Sequence, residues 1–347
     1  MTQSKTLKLP LATLAACVLA GVPGRSWGEI LLPDPTILHD KGVYFLTGTE
    51  NGILDAGGKA SGRAVFPVYE SSDLLHWRAA KTASGENRLL SLEAAFATRM
   101  FWAPQLFRYR GKCHLAYTAD LRWGIAVADD VAGPYRRLAD FPRRGHQSID
   151  PFVFIDDDGR VYAYFSDNKT GSTAVVELSD DLKRMVGEVT PCVRNDREWE
   201  RLPVEEPYLR LNRERKTDVW ESYHSSAGTT EGVTVVKRRG KYVLFYSAND
   251  FRSPDYCVGV AVADHPRGPW RKLQDGPVLS RFQTGLNGTG HGDVFLDDAG
   301  GMWYVFHAHR SNIRISPRRT GIIRLIETVG EDGYPRYRAD EPSMRLL

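Results

Sequence analysis

The sequence contains little cysteine and almost no helical periodicity. Its four cysteines in 347 residues lie far apart without a Cys-x-x-Cys pair, which argues against a disulfide framework or a zinc site. Cys113 and Cys257 lie in strand-like runs, where we expect small buried side chains. Only 91–100 could form a helical turn, and this segment lies in a connection. The sequence between 29 and 347 therefore predicts an all-β protein.

An excess of charge of one sign is also absent. The chain has 46 basic and 43 acidic residues, a net charge of +3, and these residues are spread throughout the sequence. A nucleic-acid-binding surface needs a basic patch or stripe, and no run of basic residues here is long enough to form one. We therefore expect no nucleic-acid partner, and nothing in the sequence argues against a monomer.

Long apolar runs are missing except at the N-terminus. Lys5 and Lys8 precede an apolar run over 9–22, which is followed by Pro23 and Gly24. This layout is typical of a secretory signal peptide, and the run is too short to span a membrane. We expect a signal peptide over 1–28, cleaved after Gly28.

A second interpretation of the same region remains open. The sequence Leu-Ala-Ala-Cys ending at Cys17 resembles a bacterial lipobox, in which that cysteine would carry a lipid. The apolar run continues to Val22, whereas a tethered lipoprotein normally becomes polar after the cysteine. Both interpretations predict export to the periplasm or the medium, with anchoring at Cys17 as the alternative.

The remaining sequence repeats one unit five times. Each copy has a polar start, a strand, a turn that usually contains glycine, a strand rich in Tyr and Phe, and a third strand; the copies begin DPTIL, WAPQL, DPFVF, EGVTV and GHGDV. Repeats of this kind indicate a propeller or a solenoid. We predict a single five-bladed β-propeller domain over 29–347, because radial repetition leaves only short exposed sheet edges. A β-sandwich is the structural alternative, but it predicts no repeat of whole sheets. Segment 194–223 is longer and more polar, as expected of an insertion before the fourth blade.

Three carboxylates stand at the starts of repeats. Asp34 and Asp150 precede prolines, Glu231 precedes Gly232, and each is followed by a strand pattern. Two carboxyl groups on opposite sides of a bond, one protonated and one ionised, are what glycoside hydrolysis requires. The alternative is that each acid only caps a turn or a strand.

Three other acids compete for the role of proton donor. These are Glu205, Glu206 and Glu221, which lie just before the fourth repeat. None is followed by the strand pattern that follows Glu231, so Glu231 is the preferred candidate.

The set of repeat starts resembles glycoside hydrolase family 43, a group of five-bladed β-propeller enzymes acting on arabinose- and xylose-containing glycans. The motifs that carry the resemblance, in family order, are DPTIL, WAPQLFRYRGK, IDPFVFIDDDGRVYAYF, EGVTVVKRRGKYVLFYS and GTGHGDVFLDD. Val233 stands where the family often has proline after Glu-Gly. The resemblance covers essentially all of 29–347.

The resemblance implies a role for each of the three acids. Asp34 would be the general base, Glu231 the general acid, and Asp150 the residue that orients the sugar and modulates the acid. An inverting enzyme places base and acid roughly 6.5 to 9.5 Å apart to leave room for a water molecule. A charged Asp150 near Glu231 would raise the pKa of Glu231 by repulsion.

Further site residues follow from the resemblance. Trp102 would stack on a sugar face, with a core position as the alternative. His291 would line the axial channel, in some relatives near a calcium ion, although a structural histidine explains the same residue. Arg318 would contact the bound sugar, with Arg310 and Arg319 as alternatives. No cofactor is expected to be required, and a structural calcium ion is the only metal considered.

The function expected from these features is an exported, inverting, exo-acting α-L-arabinofuranosidase. The expectation rests on three acids in one propeller, and on the absence after the fifth repeat of the C-terminal sandwich carried by many β-xylosidases of the family. β-Xylosidase, endo-arabinanase and galactan-directed activities remain alternatives, because a fold does not determine substrate. A non-catalytic carbohydrate-binding propeller is the alternative from another class.

Overall fold

The computed structural model describes residues 29–49, 62–202, 210, 213–214 and 229–347, in which nearly all regular structure is β. Five antiparallel sheets follow one another along the chain, as the repeats predict, and they form the blades of a five-bladed propeller. The predicted signal peptide, Cys17, and the competing acids Glu205, Glu206 and Glu221 lie outside the described residues.

The first three blades have similar strand orders. Blade 1 contains β1 (Thr36–Asp40), β2 (Val43–Thr47), β3 (Ala64–Ser71) and β4 (Arg78–Ala79), with β5 (Arg88–Ser91) also paired to β3. Blade 2 contains β6 (Trp102–Tyr109), β7 (Lys112–Ala119), β8 (Arg122–Ala128) and β9 (Arg136–Asp140). Blade 3 contains β10 (Ser148–Ile155), β11 (Val161–Asp167), β12 (Ser172–Leu178) and β13 (Met185–Pro191).

Blade 4 differs because three strands are found for it among the described residues, β14 (Thr230–Arg238), β15 (Lys241–Ala248) and β16 (Cys257–Ala263). Two isolated bridges, Val258 to Leu279 and Val262 to Arg271, accompany its outer edge. A short helix α1 (Arg281–Thr284), which the sequence pattern did not predict, lies in the following connection. Blade 5 contains β17 (Gly290–Leu296), β18 (Met302–Ala308), β19 (Arg319–Val329) and β20 (Pro335–Leu346).

The predicted insertion lies between β13 and β14. Its described beginning carries one 3-10 turn, Glu198–Glu200, and no strand was found among the residues of this segment that are described. Cys113 and Cys257 are buried and unpaired, as expected, and Cys192 is a third free thiol. No helix in the described part of the chain is long and apolar enough to cross a membrane.

The ring of blades is closed where the two ends of the domain meet. The Ile30 amide donates to the carbonyl of Leu347 at 2.8 Å, and the Thr320 amide donates to the carbonyl of Ile30 at 3.1 Å. The Thr320 hydroxyl accepts from the Leu32 amide at 2.8 Å. The segment that starts the domain thus pairs with blade 5, which holds the first blade against the last.

Candidate active site

The inner strands of all five blades begin with the same backbone irregularity. One residue near each start has a positive φ angle: Asp34 (50°), Ala103 (42°), Asp150 (58°), Gly232 (59°) and His291 (37°). In blades 2 to 5 the ladder shifts register at this point, as at a β-bulge. Bulges and left-handed residues redirect side chains and are concentrated at functional sites. The repeated irregularity aims one residue of every blade at the propeller axis.

Hydrogen bonds between neighbouring blades hold these strand starts in place. The amide of four of the five starts donates to a side chain near the end of the second strand of the preceding blade. The pairs are Ala103 to Thr49, Asp150 to Thr118 and His291 to Ser247, each at 2.8 Å, and Asp34 to His307 Nδ1 at 3.2 Å. The same blade-to-blade contact thus fixes four of the five starts.

An axial pocket lies where the strand starts converge. Its lining includes one residue from each blade, such as Asp34, Gln105, Asp150, Val233 and His291. Glu231 is one residue earlier in its strand than the positive-φ position, and it lines an adjoining cleft of about 210 Å³ between blades 3 and 4. The structure therefore brings together the three predicted acids, with Glu231 displaced by one residue from the positions of the two aspartates.

Asp34 is buried among groups that stabilise its charged form. Arg318 Nη1 donates to Oδ1 at 3.0 Å, and the Thr49 hydroxyl donates to Oδ2 at 2.5 Å. Burial alone would raise the pKa of Asp34, but the Arg318 charge and the nearby His291 and His307 rings hold the pKa well below its usual range. Asp34 is therefore ionised at neutral pH, as a general base must be.

Glu231 shows the opposite behaviour. Burial raises the pKa of Glu231 to about 7, and the charges of Asp34 and Asp250 act in the same direction. A hydrogen bond from the Tyr256 hydroxyl to Oε1 at 2.7 Å and the charge of Arg318 partly oppose this increase. Two carboxyl groups with pKa values on either side of the working pH can divide the base and acid roles between them.

Asp150 lies near both of these groups. Its pKa is raised well above the usual range by burial first, and then by the charges of Glu231 and Asp34. The only donor found for its side chain in the described region is the Ser166 hydroxyl, at 3.4 Å from Oδ2. The Glu231 charge thus favours a protonated Asp150, whereas the pKa of Glu231 is raised by burial first and then by Asp34 and Asp250. The predicted effect of Asp150 on the pKa of Glu231 stays a prediction.

His291 and Arg318 both lie beside Asp34. His291 Nδ1 lies 3.4 Å from Asp34 Oδ1, and the His291 ring packs against Gly232. A Cβ atom on Gly232 would come within 2.8 Å of that ring, so glycine is needed there for space as well as for its φ of 59°. The competing arginines, Arg310 and Arg319, both pair with Glu29 instead.

Two further predictions concern Trp102, as a surface for sugar stacking, and a structural calcium ion near His291. Trp102 begins β6 and is partly exposed, next to Ala103 in the axial pocket, but its predicted stacking on sugar stays a prediction.

In the axial channel Asp293 accepts hydrogen bonds from Thr36 at 2.7 Å and Thr234 at 2.6 Å. No cluster of three or more His, Cys, Asp or Glu side chains suited to a metal ion was found where the structure is described. A structural calcium ion near His291 therefore stays a prediction.

Sequence reasoning missed several residues that build the site. Tyr256 and His307 contact the acid and the base, and Thr49, Thr118 and Ser247 fix the strand starts. A signal was available, because each second strand ends with a small hydroxyl residue or histidine in the segments LTGT, YTAD, FSDN, YSAND and FHAH. Nothing comparable marks Tyr256, which precedes a third strand.

Comparison with known proteins assigns the chain to a family. The profile of glycosyl hydrolases family 43 matches residues 28–335. The chain belongs to this family. Family 43 members act on glycosidic bonds, and the predicted family and the five-bladed propeller are both confirmed.

Proteins similar to this chain are named for different activities. A solved endo-1,4-β-xylanase from Bacteroides thetaiotaomicron VPI-5482 is 30% identical, with a TM-score of 0.71 over 89% of this chain and 94% of that one. A β-xylosidase from Xylanibacter ruminicola is 27% identical over 60% of this chain and 65% of its own length. An extracellular endo-α-(1→5)-L-arabinanase from Thermotoga petrophila is 21% identical over 94% and 74%. The chain thus spans about two thirds to three quarters of these two curated relatives.

Proposed function

We propose that this protein hydrolyses glycosidic bonds of arabinose- or xylose-containing glycans with inversion at the anomeric carbon. The observation that carries the proposal is the difference in pKa between Asp34 and Glu231. Asp34 is held ionised beside Arg318, whereas burial raises the pKa of Glu231 to about 7. One group can accept a proton while the other donates one.

In the proposed reaction Asp34 removes a proton from a water molecule, whose oxygen attacks the anomeric carbon. Glu231 gives its proton to the glycosidic oxygen as the bond between that oxygen and the anomeric carbon breaks. Asp150, with its raised pKa, can donate a hydrogen bond to a sugar hydroxyl, and Arg318 keeps Asp34 charged. The cleft beside Glu231 is lined by polar side chains such as Gln147 and Asn168, which suits a leaving sugar.

The first substrate to test is an α-L-arabinofuranoside, because one relative is named as an endo-arabinanase. The name of the β-xylosidase relative specifically favours a second candidate, β-D-xyloside. Purified protein should be assayed with 4-nitrophenyl α-L-arabinofuranoside, 4-nitrophenyl β-D-xyloside, arabino-oligosaccharides and xylo-oligosaccharides. Failure to release arabinose from any arabinoside would remove the arabinofuranosidase proposal, and failure on every substrate would contradict the wider one.

Catalysis and glycan binding without hydrolysis can be separated with one substitution. We expect Asp34→Ala to abolish hydrolysis of the best substrate, because it removes the ionised carboxylate beside Arg318. Asp180→Ala, which changes an exposed aspartate, should leave activity unchanged. Undiminished hydrolysis by Asp34→Ala would refute the base assignment, and glycan binding by a wild type that never hydrolyses it would support the binding-module alternative.

Metal independence follows from the same chemistry. Because the proposed proton transfers use only carboxyl groups, we expect chelation to leave kcat unchanged. The assay is hydrolysis before and after EDTA treatment, with calcium added back to a matched sample. A loss of activity that calcium restores would show that the expectation is wrong.

The cellular location and oligomeric state are separate proposals. We propose export as a monomer, with cleavage after Gly28, on the basis of the apolar run over 9–22. Intact mass of the protein recovered from the producing cells distinguishes the cleaved form from a chain lipidated at Cys17. Sedimentation of the same sample tests the monomer.

A further inference from the structure

Tyr256 is the closest hydrogen-bond partner of the general acid among the described contacts. It lies just before β16 and is fully buried, and its hydroxyl donates to Glu231 Oε1 at 2.7 Å. Burial and the neighbouring Glu231 charge raise the pKa of the Tyr256 hydroxyl well above its usual range, so the hydroxyl keeps its proton. A proton-bearing phenol can only donate to an ionised carboxylate, and this hydrogen bond favours the ionised form of Glu231.

The ring of Tyr256 packs closely against two residues. It stacks on His307, with ring centroids 5.6 Å apart and planes 11° from parallel. It also packs against Gly290, where an added Cβ atom would lie 2.7 Å from ring carbons. Position 290, at the start of blade 5, therefore requires glycine. Because the ring is enclosed in this way, its hydroxyl is fixed in position relative to Glu231.

The stacked histidine belongs to the environment of the base. His307 Nδ1 lies 3.2 Å from the Asp34 amide and 3.3 Å from Asp34 Oδ1, and His307 is completely buried in the ring closure between blades 5 and 1. Burial and Arg318 lower the pKa of His307 to about 3, so the ring is neutral. One continuous path, from Asp34 through the stacked rings of His307 and Tyr256 to Glu231, thus joins base to acid.

We propose that Tyr256 is a positioning residue for the general acid Glu231. The inference rests on the proposed hydrolytic function. The Tyr256 hydroxyl holds Oε1, which leaves Oε2 of Glu231 to carry the proton that goes to the glycosidic oxygen. As that proton leaves and the carbon–oxygen bond breaks, the new carboxylate keeps the hydrogen bond from Tyr256. Tyr256 therefore favours proton donation without exchanging a proton itself.

The groups that also act on Glu231 are known, so the effect of Tyr256 can be separated from theirs. Asp34, Asp150 and Asp250 are the acidic groups near it, and Arg318 is the basic one. None of these is changed by Tyr256→Phe, which keeps the ring against His307 and Gly290. The substitution removes only the hydroxyl and its hydrogen bonds.

Leaving-group dependence is the most specific test. A 4-nitrophenolate leaving group needs little protonation, whereas a sugar leaving group needs the acid. We expect Tyr256→Phe to lower kcat on the pentose disaccharide by about 10- to 100-fold, as for loss of a hydrogen bond to a charged group, and on the matching 4-nitrophenyl pentoside by less than about 3-fold. Equal losses on both substrates would overturn the proposal, because a general structural defect would affect both alike.

The pH profile provides a second readout with a defined sign. Without the donor, the pKa of Glu231 rises, so the alkaline limb of kcat/KM should move up by about one pH unit. An unmoved alkaline limb would contradict the proposal. Tyr337→Phe is the matched control. Tyr337 lies on β20, the outer strand of blade 5, and the substitution removes the hydrogen bond that its hydroxyl donates to Glu327 at 2.9 Å. It should change neither the pH profile nor the ratio between the two substrates.

An isosteric variant addresses the risk that Tyr256→Phe does not fold. Fluorotyrosine in place of Tyr256 keeps the ring and makes the phenol a stronger hydrogen-bond donor, so the alkaline limb should move to lower pH. A shift to higher pH, or none, would overturn the proposal. Failure of the hydrolytic function itself is distinguishable, since the wild type would then be inactive on both the disaccharide and the aryl pentoside.

Discussion

At the scale of single residues, two carboxyl groups of similar intrinsic acidity acquire different pKa values from their surroundings. Asp34 contacts a guanidinium group and a hydroxyl, whereas Glu231 is buried and contacts a phenol. Arg318 and the His291 and His307 rings together outweigh burial at Asp34, whereas burial outweighs the hydrogen bond from Tyr256 at Glu231. The contacts of each group, rather than residue type, therefore assign its role.

Arg318 should set the acidic limb of the pH profile. Replacing it with glutamine removes the charge that lowers the pKa of Asp34, so the pKa rises and the base becomes protonated at higher pH. We expect the acidic limb of kcat/KM to move to higher pH in Arg318→Gln, measured from pH 3 to 9. Arg319→Gln is the neighbouring control, because Arg319 pairs with Glu29. An unchanged acidic limb in Arg318→Gln would contradict this interpretation of Asp34.

The site residues were predictable from sequence where the repeat itself identifies them. Asp34, Asp150 and His291 occupy equivalent starts, so comparing the copies was sufficient to find them. Tyr256 has no equivalent in the repeat, and its contact with Glu231 depends on the path of the segment between β15 and β16. The choice of Arg318 over Arg310 and Arg319 also needed coordinates, because the three candidate arginines lie within a stretch of ten residues that contains four arginines in all.

At the scale of elements, the sheets were predictable and their edges were not. Alternating aromatic and aliphatic residues with glycine turns predicted the inner strands, since these features are local. The three strands described for blade 4 and the short helix α1 depend on how the connection after β16 packs, which a local pattern does not determine. Hydrogen bonds between blades, such as the one that the Asp150 amide donates to the Thr118 hydroxyl, are similarly not predictable until the blades are assembled.

The ring closure offers a test at this scale. The Thr320 hydroxyl accepts from the Leu32 amide at 2.8 Å and donates to the Leu32 carbonyl at 3.1 Å. Thr320→Val leaves both buried backbone groups without this partner, so we expect a loss of about 1 to 3 kcal/mol in the free energy of unfolding. Thr328→Val, an exposed position of the same strand, serves as control in urea unfolding. A loss no larger than that of the control would show that this contact does not close the ring.

At the scale of the whole molecule, the propeller converts residues distant in sequence into one site. Asp34, Asp150 and Glu231 come from blades 1, 3 and 4 and meet near the axis, while the positive-φ starts provide the same backbone geometry each time. Burying ionisable groups there carries a cost in stability, because the folded state resists ionisation of Glu231.

That cost should be measurable. The pKa of Glu231 rises from 4.5 to about 7 on folding, so the folded protein keeps a proton that the unfolded chain loses over this range. The contribution of Glu231 to the free energy of unfolding of the wild type therefore falls as pH increases from about 4.5 to about 7. A glutamine at this position does not titrate, so the variant does not lose stability in this way. We expect Glu231→Gln to melt a few degrees higher than wild type at pH 7.5, with a smaller difference at pH 4.5. A difference independent of pH would contradict the raised pKa.

The stereochemistry of the first product tests the central claim, that Asp34 and Glu231 act as base and acid in a single displacement by water. Proton NMR of the anomeric signals should be followed from the first minutes of hydrolysis of the best pentoside, before mutarotation mixes the anomers. We predict that the released pentose first appears with the anomeric configuration opposite to that of the substrate. Initial appearance of the retained anomer would require a covalent glycosyl-enzyme intermediate and would contradict the roles assigned to Asp34 and Glu231.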